Sequence, residues 1–148
     1  MIKGFVTDLA KAERIFAFGD EIVVLANSVD TGGTFCLFQQ VYTIPDWGPL
    51  HFHEYEDHFV LITQGAMEFE LSGIVYACSA GNGIFMPRQQ WHRFRATSAE
   101  PVVMLIFNFP GGFENMYREI ASADTIGAGE PTRQEILRKY GVRTQQEV

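Results

Sequence analysis

The sequence predicts an all-β fold, a sandwich or closed barrel finished by short helices. Three observations predict it. Between residues 15 and 109, short apolar runs alternate with turn clusters every ~8–12 residues, the spacing of antiparallel β architectures. After Pro110-Gly111-Gly112 the apolar period lengthens to three and four, which marks helix. The length of 148 residues buries one core without disulfides and is short for two domains.

The elements follow in order. Residues 1–14 form an N-terminal segment, and the barrel runs over 15–110. IFAFGDEIVVLANS (15–28) holds two β-rich pieces around Gly19-Asp20, and TFCLFQQVYTI (34–44) is a long strand ended by Pro45. HFH (51–53), the charged turn EYED (54–57) and HFVLIT (58–63) come next. AMEFEL (66–71) alternates with period two after Gly65, and IVYACS, GIFMP, WHRFRA and PVVMLIFNF complete the strands. Within 111–148, Phe113, Met116, Tyr117, Ile120 and Ala121 share one helical face, which ADTIGAGEP (123–131) ends. Thr132 with Glu135 has the capping-box pattern and Gly141 sits at a C-cap, so a second helix covers roughly 133–140. Both helices extend the same domain, packing on the barrel or across a dimer interface.

Composition narrows the partners. Apolar residues make up 47% and charged residues 20%, an ordinary globular balance. A net charge of −7 excludes nucleic acid and anionic membranes as main partners, since both need basic patches. Thirteen phenylalanines point to a crowded core or an aromatic cavity. Cys36 and Cys78 lie inside apolar runs and read as small buried hydrophobes. No apolar stretch approaches ~18 residues, and MIKGFVTDLAKAER has no signal-peptide run, so the expected compartment is the cytoplasm.

The histidines carry the chemistry. Three of the four, His51, His53 and His58, fall within GPLHFHEYEDHFVLITQG (48–65). On an extended HFH, His51 and His53 leave one face and converge, while Phe52 points away. His58 has the opposite parity, so EYED must reverse the chain and let His58 open the next strand alongside. His92 opens a further strand after Pro87. Four convergent imidazoles predict one divalent transition-metal ion per chain: Mn, Fe, Ni, Co, Cu or Zn.

These stretches also resemble the cupin superfamily. Its first motif, G-x5-H-x-H-x3–4-E-x6-G, is met by His51, His53 and Gly65. Its second, G-x5–7-P-x-G-x2-H-x3-N, is met in GNGIFMPRQQWHRFRA (81–96) by Gly81, Pro87 and His92. SVDTGG, PGGFENMYREI and ILRKYGV extend the likeness, from about residue 15 to the end, to small single-domain cupins grouped as quercetin dioxygenase-like. The resemblance implies a double-stranded β-helix (jelly-roll) barrel, one metal inside and a homodimer. Three positions depart from the motifs: His58 replaces the usual glutamate, Gln89 the glycine and Ala96 the asparagine. In the family's dioxygenases that glutamate takes a proton from a bound flavonol, so His58 puts this step in doubt.

Trp47, Val60, Ile62, Phe85, Phe94, Met104 and Ile106 are the expected substrate-pocket residues, and a register slip would invert the last strands. No catalytic residue is assigned. Gln40 and Tyr42 are outer-shell candidates, and one of Glu54, Glu56 and Asp57 is positioned to reach back as a base. An aromatic or polyketide-like small molecule suits such a cavity. Three functions stay open: a quercetinase-like dioxygenase using O2, a non-redox Lewis-acid cyclase or isomerase, and a binding or sensing module.

Overall fold

Strand parity explains the architecture. In the computed structural model, which describes residues 1–145, strand β3 (Cys36–Tyr42) buries Cys36, Phe38, Gln40 and Tyr42 while the residues between them face outward. β10 (Val102–Phe109) does the same with Val102, Met104, Ile106 and Asn108. β5 (Asp57–Gln64) turns His58, Val60 and Ile62 inward. Such alternation puts one face of each strand into a shared core.

With β1 (Glu13–Ala17), β2 (Asp20–Ala26) and β8 (Gly83–Met86), these strands form a six-stranded antiparallel sheet in the order β1-β2-β3-β10-β5-β8. The facing five-stranded sheet runs β11-β4-β9-β6-β7, from β4 (His51–His53), β6 (Ala66–Leu71), β7 (Ile74–Ser79), β9 (His92–Ala96) and β11 (Val142–Thr144). Phe38, Ile62, Met67, Phe69 and Val102 fill the space between them, each essentially inaccessible. Two packed antiparallel sheets, with the chain crossing repeatedly between them, make a jelly roll.

The turn positions follow their chemistry. Gly65 has φ +80 between β5 and β6, and a Cβ there would sit 2.9 Å from Ser98 Oγ and 3.1 Å from Val102 Cα. The β1–β2 turn lies on Phe18-Gly19, one residue earlier than the sequence suggests.

Helix α1 (Glu114–Thr125) buries Met116, Ile120 and Ala123. Glu114, itself fully buried, ties its start to the loop after β2 by accepting from the backbone and hydroxyl of Ser28 and from Gly112 N at 3.0 Å. Helix α2 (Glu130–Lys139) begins at Gly129, with Pro131 in its first turn. The expected Thr132 cap therefore lies inside the helix: proline, pre-set for helical φ, starts it earlier. Gly141, φ +74, turns the chain into β11, which pairs with β4 as Val142↔His53 and Thr144↔His51. The C-terminal extension thus supplies a strand as well as helices.

Candidate metal centre

Three histidines come from one sheet and the fourth from the other. His51 and His53 sit on β4, and His92 starts β9 directly opposite His51. His58 lies on β5 in the six-stranded sheet. The expected hairpin between HFH and HFVLIT is absent: EYED carries the chain across the barrel, so His58 faces the other three from the opposite wall. Ring centroids are 4.3 Å apart for His51–His92, 4.1 Å for His53–His58 and 5.3 Å for His53–His92. Ligand atoms of His51, His53 and His92 lie within 4.8 Å of one another, as do those of His53, Glu56 and His58. His53 belongs to both sets.

Burial keeps all four imidazoles neutral, the form that ligates metal. It lowers His51, and holds His53 well below the usual range with further opposition from the neighbouring rings. His58 and His92 are pushed down to about 3 for the same reasons. His51 Nδ1 lies 2.8 Å from Pro49 O and His92 Nδ1 3.0 Å from Gln90 O. Each such N–H donates to a carbonyl, which leaves Nε2 free as a lone-pair donor.

Glu56 is the residue that sequence reasoning did not single out. Of the three turn acids, Glu54 pairs with Arg143 and Asp57 with Arg88. Glu56 turns inward, 7% exposed, with Oε2 3.8 Å from His53 Nδ1. That distance to a neutral ring is neither a hydrogen bond nor an ion pair, and burial pushes the carboxyl up to about 7. Among the described residues, His53 Nδ1, Glu56 Oε2, His58 Nε2 and both side-chain polar atoms of Asn108 are buried without a hydrogen-bond partner. Asn108 stands opposite His58 on β10. Orphaned polar atoms this close together are rare in folded proteins. A donor set of imidazoles and one carboxylate fits a divalent transition metal.

The four histidines face a cavity of about 360 Å³. Val60, Phe94, Met104 and Ile106 line it; Ile62 lies in the dry core beyond. Phe85 is placed outside, 52% exposed, because β8 directs Ile84 and Met86 inward. Trp47 also lies off the cavity, its ring under the guanidinium groups of Arg93 at 5.0 Å and Arg95 at 4.7 Å. Gln40 and Tyr42 line the cavity. Gln40 donates to Asp20 Oδ2 at 2.9 Å, and Tyr42 meets Phe94 edge-on at 5.1 Å. Phe113, just before α1, closes one side with Met116 and Tyr117 of that helix, a role their helical spacing alone did not reveal.

The family model of the cupin domain matches residues 41–108, a little under half of the chain. That segment carries the match to the cupin domain, and the two sheets closed around it form the jelly roll that the match implies, which supports a place in the cupin superfamily. It is similar to Protein SchB of Streptomyces halstedii, 38% identical over 47 residues that make up 32% of this chain and 34% of that protein. It is likewise similar to "Polyketide synthase CurC" of Streptomyces cyaneus, 32% identical over 60 residues, 40% of this chain and 39% of that one. The chain thus matches little more than a third of the length of these relatives. KdgF from Halomonas sp. superposes with a TM-score of 0.63 at 20% identity, covering 76% of this chain and 99% of its own. Streptomyces Pac13, described as a unique nucleoside dehydratase, superposes at 0.61 with 14% identity, covering 76% and 88%. At these identities the structural likeness is one of fold. No helix of the described residues is long and apolar enough to cross a membrane.

Proposed function

We propose that this cupin is a metal-dependent enzyme acting on an enolisable, polyketide-like small molecule, with the ion held by His51, His53, His58 and His92 and with Glu56 beside them. The observation that carries this reading is the convergence of four neutral imidazoles on a single apolar cavity, with the buried Glu56 carboxyl against His53. Bound there, a divalent ion supplies Lewis acidity that polarises a substrate carbonyl. The chain supplies the rest. Backbone carbonyls of Pro49 and Gln90 hold two rings in one tautomer. The walls of Val60, Phe94, Met104 and Ile106 exclude water and hold a planar substrate by burial. Glu56, with Oε2 3.8 Å from His53 Nδ1, is the carboxyl that this reading assigns as the base, taking a proton from a carbon next to the carbonyl and returning it to a leaving oxygen.

The outcome of such steps is cyclisation, dehydration or isomerisation. The likeness to a protein named for polyketide synthesis supports the substrate class, and a nucleoside dehydratase shares the fold. A second reading, a quercetinase-like dioxygenase using O2, is favoured by one observation: Glu56 restores a carboxylate beside the histidines, which His58 had removed from the motif.

The test is metal content, product mass and oxygen uptake on one preparation. About one metal per chain, with a product of unchanged or dehydrated mass and no O2 consumed, supports the Lewis-acid reading. Oxygen consumed in step with substrate supports the dioxygenase. No metal after purification without chelator sinks both and leaves a binding module.

A homodimer is part of the same proposal. Leu37, Phe107, Phe59 and Phe85 stand side by side across four strands on the outward face of the six-stranded sheet. Such an apolar row suits a second copy of the chain. Light scattering on wild type and Phe59→Lys tests it; a monomeric wild type would refute it.

A further inference from the structure

The cavity has a second polar pole, away from the histidines. Gln40 is 8% exposed and sits in an inward row between Ile22 and Met104, where an apolar residue would be expected. Its amide is committed to Asp20 Oδ2 at 2.9 Å. Among the described residues no hydrogen bond reaches Asp20 Oδ1. Continuing the Ile22↔Gln40 register by two residues brings Asp20 level with Tyr42. Burial raises both the Asp20 carboxyl and the Tyr42 phenol, and the charge of Asp20 adds to the rise at Tyr42. All three residues line the same cavity as the histidines.

The two poles are well separated. Along β10, Gln40 is level with Met104 and His58 with Asn108. Four residues of strand span about 13 Å. Apolar side chains occupy the interval, so a ligand touching both poles is long, flat and polar at each end.

The lip beside Asp20 is also unusual. Phe18 and Gly19 form the β1–β2 turn with φ of 56 and 80, and Ala17 pairs with Asp20 across it. Two-residue turns of this kind take Asn, Asp or Gly at such positions, and a bulky side chain there is strained. Strain of this sort gathers at ligand contacts. Phe18 keeps it while lining the cavity.

We propose that Asp20, clamped by Gln40 and flanked by Tyr42 and Phe18, is a specificity subsite that accepts a hydrogen bond from a hydroxyl at the substrate end remote from the histidines. Gln40 holds one carboxylate oxygen, which leaves the other to accept from a ligand. Phe18 offers a ring face to the substrate's outer ring. The substrate class is then a planar polyhydroxylated aromatic or polyketide of about three fused rings, matched to the ~13 Å span. This inference rests on the reading that the histidine end takes the enolisable part of the molecule.

The test uses the zinc-loaded protein and two anthraquinones, chrysophanol and emodin. Both chelate through peri-hydroxyl and quinone oxygens, and emodin has one further phenolic hydroxyl, meta to one peri-hydroxyl on an outer ring and directed away from the chelating oxygens. Binding is followed by the visible absorption shift of the chelate. Emodin is expected to bind about tenfold more tightly, the worth of one hydrogen bond to a charged acceptor. Asp20→Ala should bring the ratio close to one with zinc content unchanged. Gln40→Met, which leaves the turn intact, should cut it to about threefold. A wild-type ratio near one, or the same preference in both variants, overturns the subsite. Failure of chrysophanol to bind, or binding that survives zinc removal and His92→Ala, overturns the histidine-end reading and the subsite with it.

Discussion

His51 and His92 differ from His53 and His58 in what holds the second ring nitrogen. In the first pair, adjacent across β4 and β9, each Nδ1 meets the carbonyl of the residue two positions earlier. In the second pair, whose ring centroids are 4.1 Å apart beneath Phe113, His53 Nδ1 and His58 Nε2 have no partner among the described residues, and neither do Glu56 Oε2 and the Asn108 amide around them. Local backbone geometry orients the outer pair before any ligand arrives. The inner pair is a cluster of buried polar atoms, each costing roughly 1–3 kcal/mol while unsatisfied. A cation that takes up their lone pairs is coupled to stability there, and the outer half only positions it.

The largest break in that comparison is His53→Ala, because His53 is common to both ligand sets. Metal affinity, measured by competition with a chelator, should fall by at least about 100-fold, a loss on the order of 3 kcal/mol. In the wild type, free metal at 100 times its Kd should raise unfolding stability by about 2.7 kcal/mol. His51→Ala should cost less, since His53, Glu56 and His58 remain. Equal losses in the two variants would dissolve the distinction between inner and outer halves.

Titration sharpens it further. His58 and His92 fold with values of about 3, against 6.5 for an ordinary imidazole. Between those values the unfolded chain binds protons that the folded chain refuses, so metal-free stability falls as pH drops from 6.5 toward 3. Glu56 works in the opposite sense. Its folded value of about 7 exceeds the ordinary 4.5, so its contribution is favourable in acid and is lost as pH rises from 4.5 to 7. Glu56→Gln should therefore stabilise the metal-free protein at pH 8 by roughly 2–3 kcal/mol, with no gain at pH 4, while weakening metal binding. Urea unfolding at both pH values decides; a shift of the same size at each would show that folding does not raise the Glu56 carboxyl.

Asn108 tests the unsatisfied cluster without removing a histidine. With both polar atoms unpaired among the described residues and no exposure, Asn108→Leu should raise metal-free stability by about 1 kcal/mol, since an apolar side chain of the same branched shape carries no desolvation penalty. A loss instead would place an ordered water or ion on the amide in the metal-free protein.

Much of this site follows from parity, and its limits are those of parity. Period-two alternation puts His51 with His53, and Val60 with His58, because successive Cβ atoms take opposite faces. It is silent on which sheet a strand joins. EYED reads equally well as a hairpin turn or a crossing between sheets, and the crossing is what sets His58 opposite His92. The same silence inverts Phe85, whose short strand has only Ile84 and Met86 to declare its inner face. Glu56 was illegible for another reason. Three acids in four positions look alike until Arg143 and Arg88, 89 and 31 residues from their partners, claim two of them. Asp20 gains its meaning only through Gln40 on another strand. The β11 strand was hidden by its length of three residues, too short for a period to show.

The smallest expected effect comes from the outer half. Gln90 holds His92 through its backbone carbonyl, and its side chain reaches only the Ser72 hydroxyl, at 3.2 Å on the exposed side. Gln90→Ala removes that exposed contact and leaves the carbonyl in place. Stability should change by less than about 0.5 kcal/mol, and metal affinity by less than about twofold, or 0.4 kcal/mol. The contrast with Asn108 is the point of the measurement, since both residues stand next to a histidine and both are amide-bearing. If Gln90→Ala weakens metal binding tenfold, His92 is held by its side-chain surroundings, and the backbone-positioned outer pair does not exist.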